Sequence, residues 1–226
     1  MLFKNLFYLS IFLIFFNFLF FKIKNRILKK KFGKIIILNG PSASGKSSIQ
    51  KDFQNLMMPN LWIKLGIDNL FDKPMPDITI ENLEFWKEKN SIRWVEEEKD
   101  KNKFKVIKLF VGENGKNVVY GMNSAIKEYA KNGCNVIVDY IVYEKDWIDD
   151  LKNKINEYDF LWIKINIPIK VLEERELLRG TSPVGHARSH YENVYWDIKY
   201  DFEVDTSLNS SIEAAKKIKE FFEIKF

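Results

Sequence analysis

One cysteine and two histidines occur in 226 residues. A single thiol, Cys134, excludes an internal disulfide framework and suits a reducing cytosol. Its place just before an apolar run reads as a buried structural thiol rather than a nucleophile. The two histidines, His186 and His190, are spaced i, i+4 with no Glu between them and no third ligand in pattern, so they lack the signature of a metal site. Six prolines and ten glycines nowhere gather into a linker, and no internal repeat is visible, so residues 34–226 read as one domain. Acid is missing from residues 1–34, where eight of the 36 Lys/Arg fall. The rest of the chain therefore carries 28 bases against 31 acids, and the net charge of +5 belongs to the leader. With no basic face on the remainder, no nucleic-acid partner is expected.

What the leader does have is hydrophobicity. Leu2 to Phe21 is apolar except at Lys4, Asn5, Ser10 and Asn17, and no charge occurs from Asn5 to Phe21. Those 17 residues are at the short end of the roughly 17–25 that cross a bilayer as a helix. The basic run KIKNRILKKKFGK follows at once and is expected to stay on the cytoplasmic side. Residues 1–33 are thus expected to be a hydrophobic helix anchored in the membrane through residues 5–21, with the domain in the cytoplasm. The alternatives are a start-site artefact upstream of a soluble domain, a helix lying on a surface, or one packed in a core. No small-residue cleavage site follows, which argues against a secretory signal.

Beyond the leader, short apolar runs alternate with helical patterns. KIIILN (34–39), LWIKLG (61–66), NVIVDY (135–140) and FLWIKINI (160–167) read as buried parallel strands, and FEVDT (202–206) as a fifth. Helices are expected over Lys46–Leu56, Asn117–Lys131, Glu144–Ile155, Ile169–Leu178, His186–Tyr200 and Ser210–Phe222. The alternation predicts an α/β fold of three layers, a five-stranded parallel sheet with helices on both faces. Residues 72–114 are charged and read as an insertion of one or two helices over the sheet edge, on the acceptor side.

Gly40-Pro41-Ser42-Ala43-Ser44-Gly45-Lys46-Ser47 fits G-x-x-x-x-G-K-[ST], after an apolar strand and at the start of a helix. The glycines permit a tight turn whose amides surround phosphate, Lys46 reaches the β and γ oxygens, and Ser47 offers its hydroxyl to Mg²⁺. Residues Gly40 to Ser48 are therefore expected to bind ATP. A guanine-reading Asn-Lys-x-Asp is missing, since the nearest string, Asn153 to Asn156, lacks the acid. A compact kinase of a small acceptor fits better.

Three later stretches supply what a kinase needs. Asp68 follows the second strand at the carboxyl end of the sheet, where ligands of open α/β sheets gather. A carboxylate there can take the proton of an attacking hydroxyl, or simply cap the next helix. Asp139, ending NVIVDY, can hold Mg²⁺ with Ser47, face the acceptor, or cap a helix. Arg175 and Arg179 share a helix face and precede a breakable turn of Gly180, Ser182, Pro183 and Gly185, with Arg188 beyond. Arginines on such a flap neutralise a transferring phosphoryl group; the alternative is helix pairing, as of Arg179 with Glu176.

These segments, ILNGPSASGKSS, LWIKLGIDNLF, GCNVIVDYI, LWIKINIPIKVLEERELLRG and GHARSHYENVYWDIKYDFEVDTS, resemble the chloramphenicol phosphotransferase family of P-loop kinases over residues 34–220. The resemblance implies the fold of nucleotide and shikimate kinases, ATP-dependent phosphorylation of a small-molecule hydroxyl, and a link with antibiotic resistance. It implies that Asp68 is the general base and that Arg175 and Arg179 are lid arginines. Two departures stand out. The family's Arg-Gly-Asp-Arg is here Arg179-Gly180-Thr181-Ser182, and a histidine common some ten residues later is Tyr195. A kinase of a nucleotide-sugar, or an ATP-binding membrane protein without catalysis, would share the same motifs.

Overall fold

The structure, a computed structural model, describes residues 32–97 and 104–226. The expected leader helix lies outside the described residues. Among the described residues, no helix is long and apolar enough to cross a membrane.

Five parallel strands form the main sheet: β1 (Ile35–Asn39), β2 (Trp62–Gly66), β5 (Asn135–Tyr140), β6 (Phe160–Asn166) and β7 (Phe202–Asp205). Their order is β2-β5-β1-β6-β7. All five expected strands are present with ends shifted by one residue at most. β1 pairs on both sides, with β5 and with β6, and its five residues are all buried. That is why Ile35 to Leu38 are continuously apolar rather than alternating, up to the buried Asn39. The alternation survives in the direction of the side chains. Ile35 and Ile37 pack into one core with Val136 and Val138, and Ile36 and Leu38 into the other with Ile137 and Ile163.

Helices cover both faces. α3 (Glu113–Lys131) and α4 (Lys145–Ile155) supply Val119, Met122, Ile126, Trp147 and Leu151 to the first core. α1 (Lys46–Met57) and α7 (Ser211–Lys225) supply Ile49, Phe53, Ala214 and Ile218 to the second. Trp62 of β2 joins α1 to α7, its ring 5.0 Å from Phe53 and 5.1 Å from Phe222, both edge-on. Each such pair adds about 0.5–1.5 kcal/mol beyond area burial. Ser210 and Glu213 close a reciprocal capping box at the start of α7, satisfying backbone donors that a helix end leaves open.

Three expectations are corrected. Among the described residues of 72–112, the chain forms one five-residue helix, α2 (Leu83–Lys87), and an antiparallel pair of β3 (Ile92–Glu97) and β4 (Val106–Val111), called the β3–β4 hairpin. VIKLFV alternates buried and exposed along β4, a period-two signal that the surrounding charge hid. The helix expected over His186–Tyr200 ends as α6 at His190. Beyond it, tertiary bonds claim the chain: Tyr191 and Tyr195 hydroxyls donate to the carbonyls of Ile167 and Ile165, and Asn39 donates to the Val194 carbonyl. Trp196 takes a positive φ of 34°, which no helix continues through. Cys134 is half-buried rather than buried.

Candidate active site

The site grows from the turn between β1 and α1. Gly40 leaves the strand so close to β6 that a Cβ there would stand 2.8 Å from the Ile165 carbonyl oxygen. Gly45 takes φ 94°, and no side chain caps the helix that Lys46 opens. An uncapped helix start behind a glycine turn presents free N–H groups and the positive end of the helix to an anion. Ala43 accepts φ 62° in the same turn. Ser42 and Ser44 are buried, whereas Ser47 and Ser48 face the cleft.

Lys46 folds over this turn, its amine donating to the Gly40 and Pro41 carbonyls at 2.9 and 2.7 Å. Burial holds its pKa below the ordinary lysine value, against the raising effect of Asp139. The Asp139 Oδ1 atom lies 3.4 Å from that amine. Its other oxygen accepts from the Ser47 hydroxyl at 2.6 Å. Asp139 Oδ1 is buried without a hydrogen-bond partner. A hydroxyl beside a carboxylate whose second oxygen faces only the Lys46 amine, both residues lining the cleft, is an oxygen donor set that fits Mg²⁺, which keeps much of its water and takes few protein ligands. Asp139 is not a helix cap, since Glu144 holds that position for α4.

Asp68 opens a short π-helical turn, Asp68–Asp72, directly after β2. The residue before it, Ile67, occupies the cap position, so Asp68 does not serve as a cap. Its carboxyl lies on the cleft. Partial burial raises its pKa above the ordinary aspartate value, and the charges of Asp139 and Asp72 raise it further, against Arg179 and Lys46. Like charges and desolvation both penalise the ionised form, which makes the carboxylate a better proton acceptor.

The helix expected to carry the lid arginines, α5 (Ile169–Arg179), ends at Gly180 in the left-handed region, φ 61°. Arg175 donates to the Thr206 carbonyl and hydroxyl at 2.7 and 3.3 Å, beside Gly45. Arg179 donates to Ser42 Oγ at 2.9 Å and reaches Ser182 Oγ at 3.4 Å. Arg188 instead pairs with Glu173 at 2.5 Å and stacks over Phe104. Glu176 does not pair with Arg179. It is 1 % exposed and accepts the backbone N–H groups of Gly185 and Ala187 at 2.8 and 2.6 Å. Those bonds tie α6 (His186–His190) to the helix that carries both lid arginines.

A cleft of about 1370 Å³ joins these groups. Thr206 and Asn209, after edge strand β7, line one side, and Asp68, after the opposite edge strand β2, lines the other. Phe71, Trp86, Trp94 and Tyr143 line the same cleft as Asp68. All the residues expected to bind phosphate, metal or acceptor thus meet along one cleft, apart from Gly40 and Pro41, which shape the loop behind it. Glu176, His186, His190, Tyr143 and Trp94 also take part and carried no motif. For the histidines the i, i+4 spacing was the available signal, and it pointed to a shared face without naming the partner.

A phosphate loop between the central strand and an uncapped helix, with a carboxylate after β2 and an arginine lid after β6, defines the P-loop kinase architecture. The chain belongs to the chloramphenicol phosphotransferase-like family, whose model matches residues 33–223. Two Mycobacterium tuberculosis proteins, from strains CDC 1551 / Oshkosh and ATCC 25618 / H37Rv and described as candidate O-phosphotransferases, are 28% identical over 203 residues. The match covers 84% of this chain and 83% of theirs. In fold, the chain is similar to the Mycobacterium tuberculosis APS kinase solved with AMPPNP and APS, at 15% identity and TM-score 0.56, covering 85% of this chain and 98% of that one. It is similar also to the Acinetobacter baumannii shikimate kinase solved with shikimate, at 10% identity and TM-score 0.53, covering 87% and 96%.

Proposed function

We propose that this protein is a kinase that transfers the γ-phosphoryl group of ATP, with Mg²⁺, to a hydroxyl group of a small molecule. The observation that carries this reading is Asp68. A nucleotide binder needs Lys46, the loop amides and Ser47, but it has no use for a second, basic carboxylate in the same cleft.

Lys46 and the loop amides hold the β and γ phosphates, and Ser47 with Asp139 would hold the metal. Mg²⁺ bound there would supply charge neutralisation on the phosphate oxygens. The acceptor oxygen bonds to the γ phosphorus as the bridge to the β-phosphate breaks, ADP leaves, and the hydroxyl proton passes to the Asp68 carboxylate. Arg175 and Arg179 cover the phosphates, while Arg179 also neutralises negative charge as it shifts during transfer. The acceptor is a hydroxyl compound small enough to sit between Asp68 and the wall of Phe71, Trp86, Trp94 and Tyr143. Within the same proposal, residues 5–21 anchor the kinase to a membrane from its cytoplasmic side. The charge-free stretch and its basic flank support this, and release by alkaline carbonate without detergent would refute it.

The test is phosphate transfer from Mg·ATP to a panel of sugars, nucleoside derivatives and aromatic diols, followed as loss of γ-phosphate and gain of a phosphate ester. Wild type is expected to phosphorylate at least one acceptor, with K46A and D68N close to background. If both variants match wild type across the panel, the kinase reading fails.

A further inference from the structure

Ser42 is bonded from two sides. Its hydroxyl accepts from Arg179 at 2.9 Å, and its backbone N–H donates to His190 Nε2 at 3.1 Å. His190 is 5% exposed, and a backbone N–H buried beside it requires an acceptor. An imidazole nitrogen accepts only when it carries no proton, so these partners assign the proton of His190 to Nδ1. The neighbour of Nδ1 agrees, because Ser189 Oγ, 3.4 Å away, spends its own proton on the His186 carbonyl. Burial keeps the His190 pKa well below the ordinary histidine value, and the nearby His186 and Lys46 depress it further.

The helix that carries His190 is fixed in turn. Glu176, on the lid helix α5, holds its first turn through Gly185 and Ala187. One turn back, the His186 ring lies 4.7 Å from His190 and 4.5 Å from Trp94 of the hairpin. His186 Nε2 lies 3.0 Å from the Tyr143 hydroxyl. His190 therefore stands where lid, hairpin and phosphate loop meet, and Ser42 is the point at which it touches the reaction machinery.

We propose that His190 is a positioning residue for phosphoryl transfer: through Ser42 it sets the first half of the phosphate loop and the seat of Arg179. The role in transfer rests on the kinase reading above; the role in shaping the loop does not.

The test compares H190Q with H190L. Glutamine can present an amide oxygen to the Ser42 N–H, whereas leucine fills space and accepts nothing. Affinity for a fluorescent ATP analogue is measured without any acceptor, so the outcome stands even if no acceptor is phosphorylated. H190Q is expected within about threefold of wild type, and H190L weaker by about ten- to a hundredfold, the effect of one lost buried acceptor. Melting temperature is measured alongside; if H190L does not fold, H190M replaces it. Where transfer is measurable, the loss of kcat in H190L is expected to shrink in an R179A background, since both changes act on one contact. Equal binding losses in H190Q and H190L overturn the proposal, as do losses of kcat that simply add with R179A.

Discussion

Gly66 and Asp139 stand opposite each other on β2 and β5. They are so close that a Cβ on Gly66 would lie 3.1 Å from the Asp139 Cβ and 3.3 Å from its carbonyl oxygen. That contact explains why glycine ends β2. Asp139 must lie between the Ser47 hydroxyl and the Lys46 amine, and any side chain at position 66 would press on it. G66A is expected to fold but to displace the carboxylate by a few tenths of an ångström. Steady-state kinetics should then show kcat/KM down by roughly tenfold, given that larger misplacements near 1 Å cost about a hundredfold. Full activity in G66A would show that Asp139 is not held by this contact.

Asp68 gives a prediction in which activity and stability move in opposite directions. Its carboxyl pKa is raised in the folded protein by burial, Asp139 and Asp72. A group that binds its proton more tightly folded than unfolded takes stability away as pH rises from the ordinary aspartate value through the raised one, and the loss is complete above that window. At neutral pH the charged Asp68 therefore costs the fold stability. D68N is expected to melt higher than wild type at pH 7 by scanning fluorimetry. Its kcat is expected to fall by about 10²- to 10⁴-fold, the range for a lost general base. A lower melting temperature would mean that Asp68 makes a stabilising contact.

The same surroundings are expected to set the acid limb of the pH profile. Asp72 raises the Asp68 pKa and Arg179 lowers it. D72N should shift the acid limb of kcat/KM to lower pH, and R179A should shift it to higher pH while also reducing the rate. Shifts of the same sign in both variants would assign the limb to another group.

Much of this site was legible because its pieces are local in sequence. GPSASGKSS is a contiguous loop, and Asp68 and Asp139 each end an apolar run, so strand and ligand position can be read together. Helix spacing put Arg175 and Arg179 on one face, whereas their expected lid role came from the family resemblance. What escaped the sequence is long-range. Glu176 looked like a partner for Arg179 three residues on, but its carboxylate takes two backbone donors from Gly185 and Ala187 instead. The helix expected beyond His190 is undone by hydrogen bonds from Tyr191 and Tyr195 to the end of β6, contacts between residues 24 and 30 apart. The hairpin β3–β4 was masked because Glu96 and Lys108 put charge on its exposed positions and Arg93 on a half-buried one, and periodicity fades where charge dominates.

Glu176 shows what such a long-range contact is worth. E176A removes the only carboxylate that meets the Gly185 and Ala187 N–H groups among the hydrogen bonds described, leaving buried donors unpaired. Each unpaired buried donor costs about 1–3 kcal/mol, so a loss near 3 kcal/mol is expected for the pair. For a domain of this size that lowers the melting temperature by roughly 6–12 °C. E176Q keeps one acceptor oxygen and should lose about half as much. Because α6 carries His190 and α5 carries Arg179, loosening their joint should also weaken nucleotide binding. The shift in melting temperature produced by saturating Mg·ATP should therefore be smaller in E176A than in wild type. If E176A melts within a degree of wild type, the two backbone bonds do not hold the lid, and the coupling from Glu176 to the phosphate loop is absent.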